Sequence, residues 1–199
     1  MQKIILASGS KARAKMLRDA GYKFDVIPAD IDEYRIINEE VEKKTSFEKI
    51  ALILAEQKAL AVRDKKNKDY NIIGSDQLLI FDGKILIKSK NLEEAREKLL
   101  MMQGKTHQLI SAVCIKTPTV TFLSEDSATL TMKHLTEQQI DDYLHNAKED
   151  ALQCVGGYAI EGLGRDLFDD VRGDDYTIMG MPLLKMMAFF ERQNIEATA

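Results

Sequence analysis

Three side chains stand out because their neighbours do not explain them. Asp76 interrupts the apolar run Ile72-Ile73-Gly74-Ser75-Asp76-Gln77-Leu78-Leu79-Ile80. A carboxylate there is costly to bury without a cation, a metal or a shared proton. The alternative is an Asx turn at a strand kink. Gly74 and Ser75 leave no bulky neighbour to shield the carboxylate, which favours a chemical role. Lys58 shares a helical stripe with Ile50, Leu54 and Ala61, a face expected to pack inward. Such a lysine either has a buried partner or runs its stem to the rim, and the sequence leaves both open. Arg13 follows Ser8-Gly9-Ser10 where a strand turns into a helix. Free backbone N–H groups and the helix dipole favour an anion above that turn. A cation in the first helical turn opposes the dipole unless an anion such as phosphate offsets it. An ordinary turn with a surface arginine is the alternative reading. Glu33, in the acidic turn Asp30-Ile31-Asp32-Glu33, and Lys88, ending the return strand of a hairpin, read more simply as solvated charges.

The elements that must position these residues follow from pattern. A buried strand is expected from Lys3 to Ala7, then a helix from Lys11 to Ala20 that Gly21 stops. Tyr22 to Pro28 reads as a strand, and Ile31 to Glu40 as polar and irregular. A long amphipathic helix is expected from Phe47 to about Lys65. Asp69 to Gly74 leads into a strand that Gln77 to Phe81 continues, with Asp76 at the break. Asp82-Gly83 marks a two-residue hairpin, with Lys84 to Lys88 returning. Asn91 caps a helix that runs to Met102 and closes at Gly104. Strands are expected over His107 to Lys116 and within Val120 to Met132, and Thr136 with Gln139 forms a capping box for a helix to about Asn146. Short strands are expected at Leu167 to Val171 and Tyr176 to Met179. Pro182 opens a last helix, Leu183 to about Gln193. The mixture implies an α/β protein, a mixed sheet with helices packed on it.

The 199 residues suffice for one domain, 1–199, with its own core. With 45% hydrophobic and 30% charged residues, the composition excludes disordered, collagen-like and disulfide-scaffold chains. The net charge of −4 and the lack of a basic stripe with aromatics weigh against stable nucleic-acid binding. Cys114 and Cys154 have no metal-ligand spacing and read as reduced thiols. No stretch is long enough to span a membrane, and a cytoplasmic location is expected. Gly104-Lys105-Thr106 mimics the end of a P-loop, but Leu99 stands where that motif needs glycine. His107, His134 and His145 are scattered, and Gly164 with the glycines before it makes no dinucleotide fingerprint.

Taken together, several short stretches resemble the Maf family of nucleotide pyrophosphatases. They are Leu6-Ala7-Ser8-Gly9-Ser10 with Arg13, Leu54-Ala55-Glu56-Gln57-Lys58-Ala59, Ile73-Gly74-Ser75-Asp76-Gln77 and Gly104-Lys105-Thr106-His107. Gly157-Tyr158-Ala159-Ile160-Glu161-Gly162 and Gly180-Met181-Pro182-Leu183 complete the set. The resemblance implies an elongated mixed-sheet fold like that of the inosine triphosphate pyrophosphatases, with two lobes and a central cleft. It implies hydrolysis of a nucleoside triphosphate to the monophosphate and pyrophosphate with a divalent metal, magnesium or manganese. Asp76 would be the general base, Ser8, Arg13, Lys58 and Lys88 would hold the triphosphate, and Glu33 would assist the metal. Gln77 and Glu161 match the 7-methyl-GTP type of the family, as does Cys154. Ala12 stands at the first specificity position, where that type often has a large aromatic residue, and Ser89 stands where the family usually has proline. The alternatives are a dTTP/UTP pyrophosphatase of the same family and a nucleotide-binding regulator without catalysis. A homodimer is compatible with either.

Overall fold

A computed structural model of the chain describes residues 3–63 and 69–197. β1 (Ile4–Leu6) is wholly buried and turns through Ser8-Gly9-Ser10 into α1 (Lys11–Asp19). The Ser10 hydroxyl caps α1 by accepting from the Arg13 N–H, and Gly21, at φ +82°, follows its end. β2 (Asp25–Val26) is much shorter than the strand expected over Tyr22 to Pro28. α2 (Glu33–Glu42) replaces the irregular segment expected from Ile31 to Glu40. None of its residues is buried, so it has no inward face for a periodicity to reveal, and the Asp32 carboxylate starts it by accepting from the Arg35 N–H.

α3 (Phe47–Arg63) buries Ile50, Ala51, Leu54, Ala55, Lys58, Ala59 and Val62. Ala61, expected on that stripe, is half-buried, and the expected reach to Lys65 lies outside the described residues. β3 (Asn71–Phe81) runs through Gly74-Ser75-Asp76 without the expected break. Both its faces are buried, which is why it reads as an apolar run rather than an alternation. A Cβ on Gly74 would strike the Ala55 carbonyl and lie 2.7 Å from the Ala59 nitrogen. Only glycine lets the α3 backbone lie against the strand at this point.

Asp82 and Gly83, both at positive φ, turn β3 into the antiparallel β4 (Lys84–Leu86), which ends before Lys88. Asn91 caps α4 (Leu92–Met102), and β5 (Thr106–Lys116) and β6 (Thr121–Met132) follow as long strands. The capping box of Thr136 and Gln139 opens α5 (Glu137–Ala147). A short α6 (Glu149–Gln153), not foreseen in the sequence, comes next, then a 3-10 turn (Leu163–Leu167) and β7 (Phe168–Arg172). The strand expected from Tyr176 to Met179 is instead α7 (Asp175–Ile178), because the Asp174 carboxylate accepts from both the N–H and the hydroxyl of Thr177. α8 (Leu183–Arg192) begins after Pro182.

The strands form one mixed sheet in the order β2-β1-β3-β5-β6-β7, with β4 also on β3. β1 is parallel to β2 and β3, while β7 is antiparallel to β6. The chain divides into two compact units. The first comprises the described residues of Met1–Gln77, Ser111–Asp126 and Gly180–Ala199, with a core that includes Leu6, Leu17, Ile50, Leu54, Ile73 and Phe190. The second comprises Leu78–Ile110 and Ser127–Met179, with Leu79, Leu99, Met102, Leu130 and Ile140 at its centre.

Candidate active site

Seven of the residues singled out from sequence, Ser8, Ala12, Arg13, Glu33, Lys58, Asp76 and Gln77, lie in the first unit. Lys58 extends from the buried face of α3, and its Nζ lies 2.8 Å from Asp76 Oδ1 and 2.8 Å from Glu33 Oε1. The side chains of Lys58 and Asp76 are 8% and 9% exposed, whereas Glu33 is half exposed at the first position of α2. Asp76 therefore needs no kink: a buried ammonium compensates its charge within the strand. Glu33, although half exposed, is paired rather than a free solvated charge in an acidic turn, since a helix start aims it at the same cation. The rim reading of Lys58 also fails, because its Nζ ends between two carboxylates rather than in water.

Arg13 is buried too, which removes the surface-arginine reading. Its Nε donates to the Gly180 carbonyl at 2.8 Å and its Nη1 to the Ser8 hydroxyl at 3.1 Å. Burial lowers the guanidinium's pKa, and the negative charges of Asp76 and Glu33 oppose that shift. Ser8 and Ser10 also accept from the N–H groups of Ser10 and Arg13, so the turn is partly closed by its own hydroxyls. Among the described residues the N–H groups of Lys11 and Ala12 have no protein acceptor, and they remain for an anion. Ser75, which the sequence did not single out, donates to the carbonyls of Ala112 (2.8 Å) and Gly180 (3.0 Å), so one carbonyl fixes both Ser75 and Arg13. Gln77 donates through Nε2 to the Ser111 hydroxyl at 3.2 Å, and Ala12 is half-buried on α1.

Lys88, Cys154 and Glu161 belong to the second unit, where Lys88 and Glu161 are exposed. The Cys154 thiol is pushed up to about 11, by burial above all and by the negative charges of Glu161 and Asp150, with Lys88 opposing, so Lys88 and Glu161 both lie within electrostatic reach of it. The segment before Glu161 is held from two sides. The Tyr158 hydroxyl shares a 2.6 Å hydrogen bond with His107 Nε2, and the Tyr143 hydroxyl accepts from the Ala159 N–H at 3.3 Å. Two of the sequence motifs thus meet through one side-chain pair. His107 is packed against Tyr158 and Phe168, and burial drives its pKa down to about 4. Next to Lys88, the Ser89 hydroxyl is buried with no hydrogen-bond partner among the described residues.

Glu33 and Asp76 converge on the Lys58 ammonium; two carboxylates plus substrate phosphates are a donor set that a magnesium-like cation takes, though among the described residues no group of three or more His, Cys, Asp or Glu side chains is placed to hold a metal ion. Among the described residues, no helix is long and apolar enough to cross a membrane.

Comparison with known proteins adds an independent line. The model of the family described as Maf-like protein matches residues 3–193. A nucleoside triphosphate pyrophosphatase of Rhodopseudomonas palustris (strain BisB18) is 38% identical over 98% of this chain and 96% of its own. A 7-methyl-GTP pyrophosphatase of Brucella suis is 40% identical over 96% of both chains. A dTTP/UTP pyrophosphatase of Bacillus thuringiensis is 36% identical over 100% of this chain and 99% of its own.

Proposed function

The chain belongs to the Maf-like protein family, and on that premise we propose that it hydrolyses a nucleoside triphosphate to the monophosphate and pyrophosphate, with a 7-methyl-GTP-like nucleotide as substrate. The observation that carries the reading is the buried set of Lys58, Asp76 and Arg13, with Glu33 at its edge. Cations fixed in a water-poor site before the substrate arrives are what phosphoryl chemistry needs. Arg13, Lys58 and the free N–H groups of α1 bind triphosphate oxygens. Lys88, on the second unit, is the further cation the family resemblance assigns to the triphosphate. Asp76 takes a proton from a water whose oxygen bonds to the α-phosphorus; the bond from that phosphorus to the bridging oxygen breaks, and pyrophosphate leaves with the electron pair. Glu33 and Asp76 would hold the divalent cation, magnesium or manganese, which when bound neutralises phosphate charge.

Base choice rests on Gln77 and Glu161. A guanine methylated at N7 is cationic and offers N1–H and N2–H₂ donors that one carboxylate can accept together. A uracil would turn carbonyl oxygens toward the same carboxylate. The pyrimidine reading keeps a place because relatives with both substrates in their names match over nearly the whole chain. Pyrophosphate release from 7-methyl-GTP, GTP, UTP and dTTP is the test. The highest catalytic efficiency is expected for 7-methyl-GTP. Preference for a pyrimidine triphosphate would overturn the base assignment, and no release from any of the four would overturn the enzyme reading.

A further inference from the structure

Lys98 belongs to none of the sets above. It lies on α4 three residues after the buried Ala95 and directly before the buried Leu99. Its Nζ donates to two backbone carbonyls, that of Ile87 and, at 2.9 Å, that of Val155. Ile87 precedes Lys88, and Val155 follows Cys154 in the segment leading to Glu161. Neither acceptor lies in a helix or strand. Among the described residues no carboxylate comes within ion-pair distance of this ammonium. Burial lowers its pKa to about 8, opposed by Glu94 one turn back on the same helix. A stem that merely covered apolar surface would carry its charge into water. This one spends two charge-assisted bonds on the main chains of two separate segments.

We propose that Lys98 is a positioning residue: by binding the Ile87 and Val155 carbonyls together it sets how Lys88 stands relative to Cys154 and Glu161, and so how tightly the nucleotide is held. This rests on the function proposed above only in its last step. The geometric step concerns the two segments alone. Cys154 reports on it directly, because it immediately precedes Val155 in the chain. Cys114 does not interfere, being fully buried with its thiol pushed up to about 12.

Two readouts on Lys98→Met and Lys98→Arg test the proposal. Lys98→Met keeps an apolar stem and removes the donors; Lys98→Arg keeps charge and donors. In Lys98→Met the rate of Cys154 alkylation by iodoacetamide is expected to rise roughly fivefold or more, and the KM for the best nucleotide roughly tenfold, with kcat within about twofold of the parent. Lys98→Arg is expected to restore most of both. If Lys98→Met does not fold, Lys98→Gln, which removes the charge and keeps only a shorter amide donor group, is read in its place against Lys98→Arg. Alkylation within twofold of the parent overturns the strap. A parental KM beside faster alkylation overturns its link to the nucleotide, and a lowered melting temperature with both readouts unchanged overturns the strap. A parent protein that hydrolyses no nucleotide overturns the function proposed above, and the alkylation rates still decide the strap.

Discussion

In the first unit Lys58, Asp76 and Arg13 are buried, and each is held by a partner fixed on a helix, a strand or a capped turn. In the second, Lys88 and Glu161 are exposed and stand on segments without regular secondary structure, steadied by Lys98, His107 and Tyr143. The difference follows from what the proposed reaction asks of each. Charges meant to stabilise a phosphoryl transition state gain strength from a dry, rigid setting. Glu161, the carboxylate proposed to sort one base from another, need supply only a difference of a few kcal/mol, which an exposed group on an adjustable segment can give. Substitution of the buried charges Lys58, Asp76 and Arg13 in the first unit should therefore disable, and substitution of Glu161 in the second should retune.

The largest effect should come from Asp76→Asn. Turnover should fall roughly 100-fold or more, with nucleotide binding largely kept, because a general base is removed while Lys58 retains Glu33. Near-normal pyrophosphate release by this variant would erase the contrast between the units. Next is Lys58→Ala, which leaves Asp76 buried without its ammonium. Stability should drop by about 3 kcal/mol or more in a denaturant titration, and KM should rise as kcat falls. A variant of parental stability would show that water reaches Asp76 freely.

The second unit has its own charge cost, and it is set by pH. His107 has a folded pKa near 4 against an ordinary 6.5, so the unfolded chain takes up the proton first. Stability from this group is whole above about 6.5 and is lost as pH falls toward about 4, up to roughly 3 kcal/mol. Denaturation midpoints measured at pH 7 and pH 5, with and without His107→Gln, check it. The variant should lose much of that pH dependence. The smallest effect is expected at Glu161→Gln, with about 1–3 kcal/mol of discrimination between 7-methyl-GTP and UTP lost and kcat nearly kept. A loss of turnover as large as that of Asp76→Asn would break the division of labour between the units.

Much of this was legible in the sequence, and what was missed has physical causes. Arg13, Lys58 and Asp76 announced themselves because each is a charge where the local pattern demands an apolar or neutral group. The hairpin at Asp82-Gly83 and the capping box at Thr136 are encoded by adjacent residues, so they were readable too. Which charge meets which was not, since Lys58 and Asp76 are 18 positions apart on different elements. α2 escaped because periodicity registers a buried face and α2 has none. α7 escaped because four residues cannot show a period. The unbroken β3 was misread because the breaker residues Gly74 and Ser75 serve packing, against α3 and under Gly180, rather than a bend. Lys98 left a fainter trace, a cation beside Leu99 on the buried side of α4.

The carbonyl of Gly180 that holds Arg13 is separated from it by 167 positions, and the whole second unit is encoded between them. Closing so long a loop carries an entropic charge that later contacts must repay, which makes it a late event in folding. Until it closes, the guanidinium of Arg13 lacks the acceptor for its Nε, and Ser75 lacks one of its two. A refolding chain should thus recover its helices and the hairpin of β3 and β4 well before it recovers the ability to bind a triphosphate. The time lag between the two would report the docking of the segment that begins at Gly180.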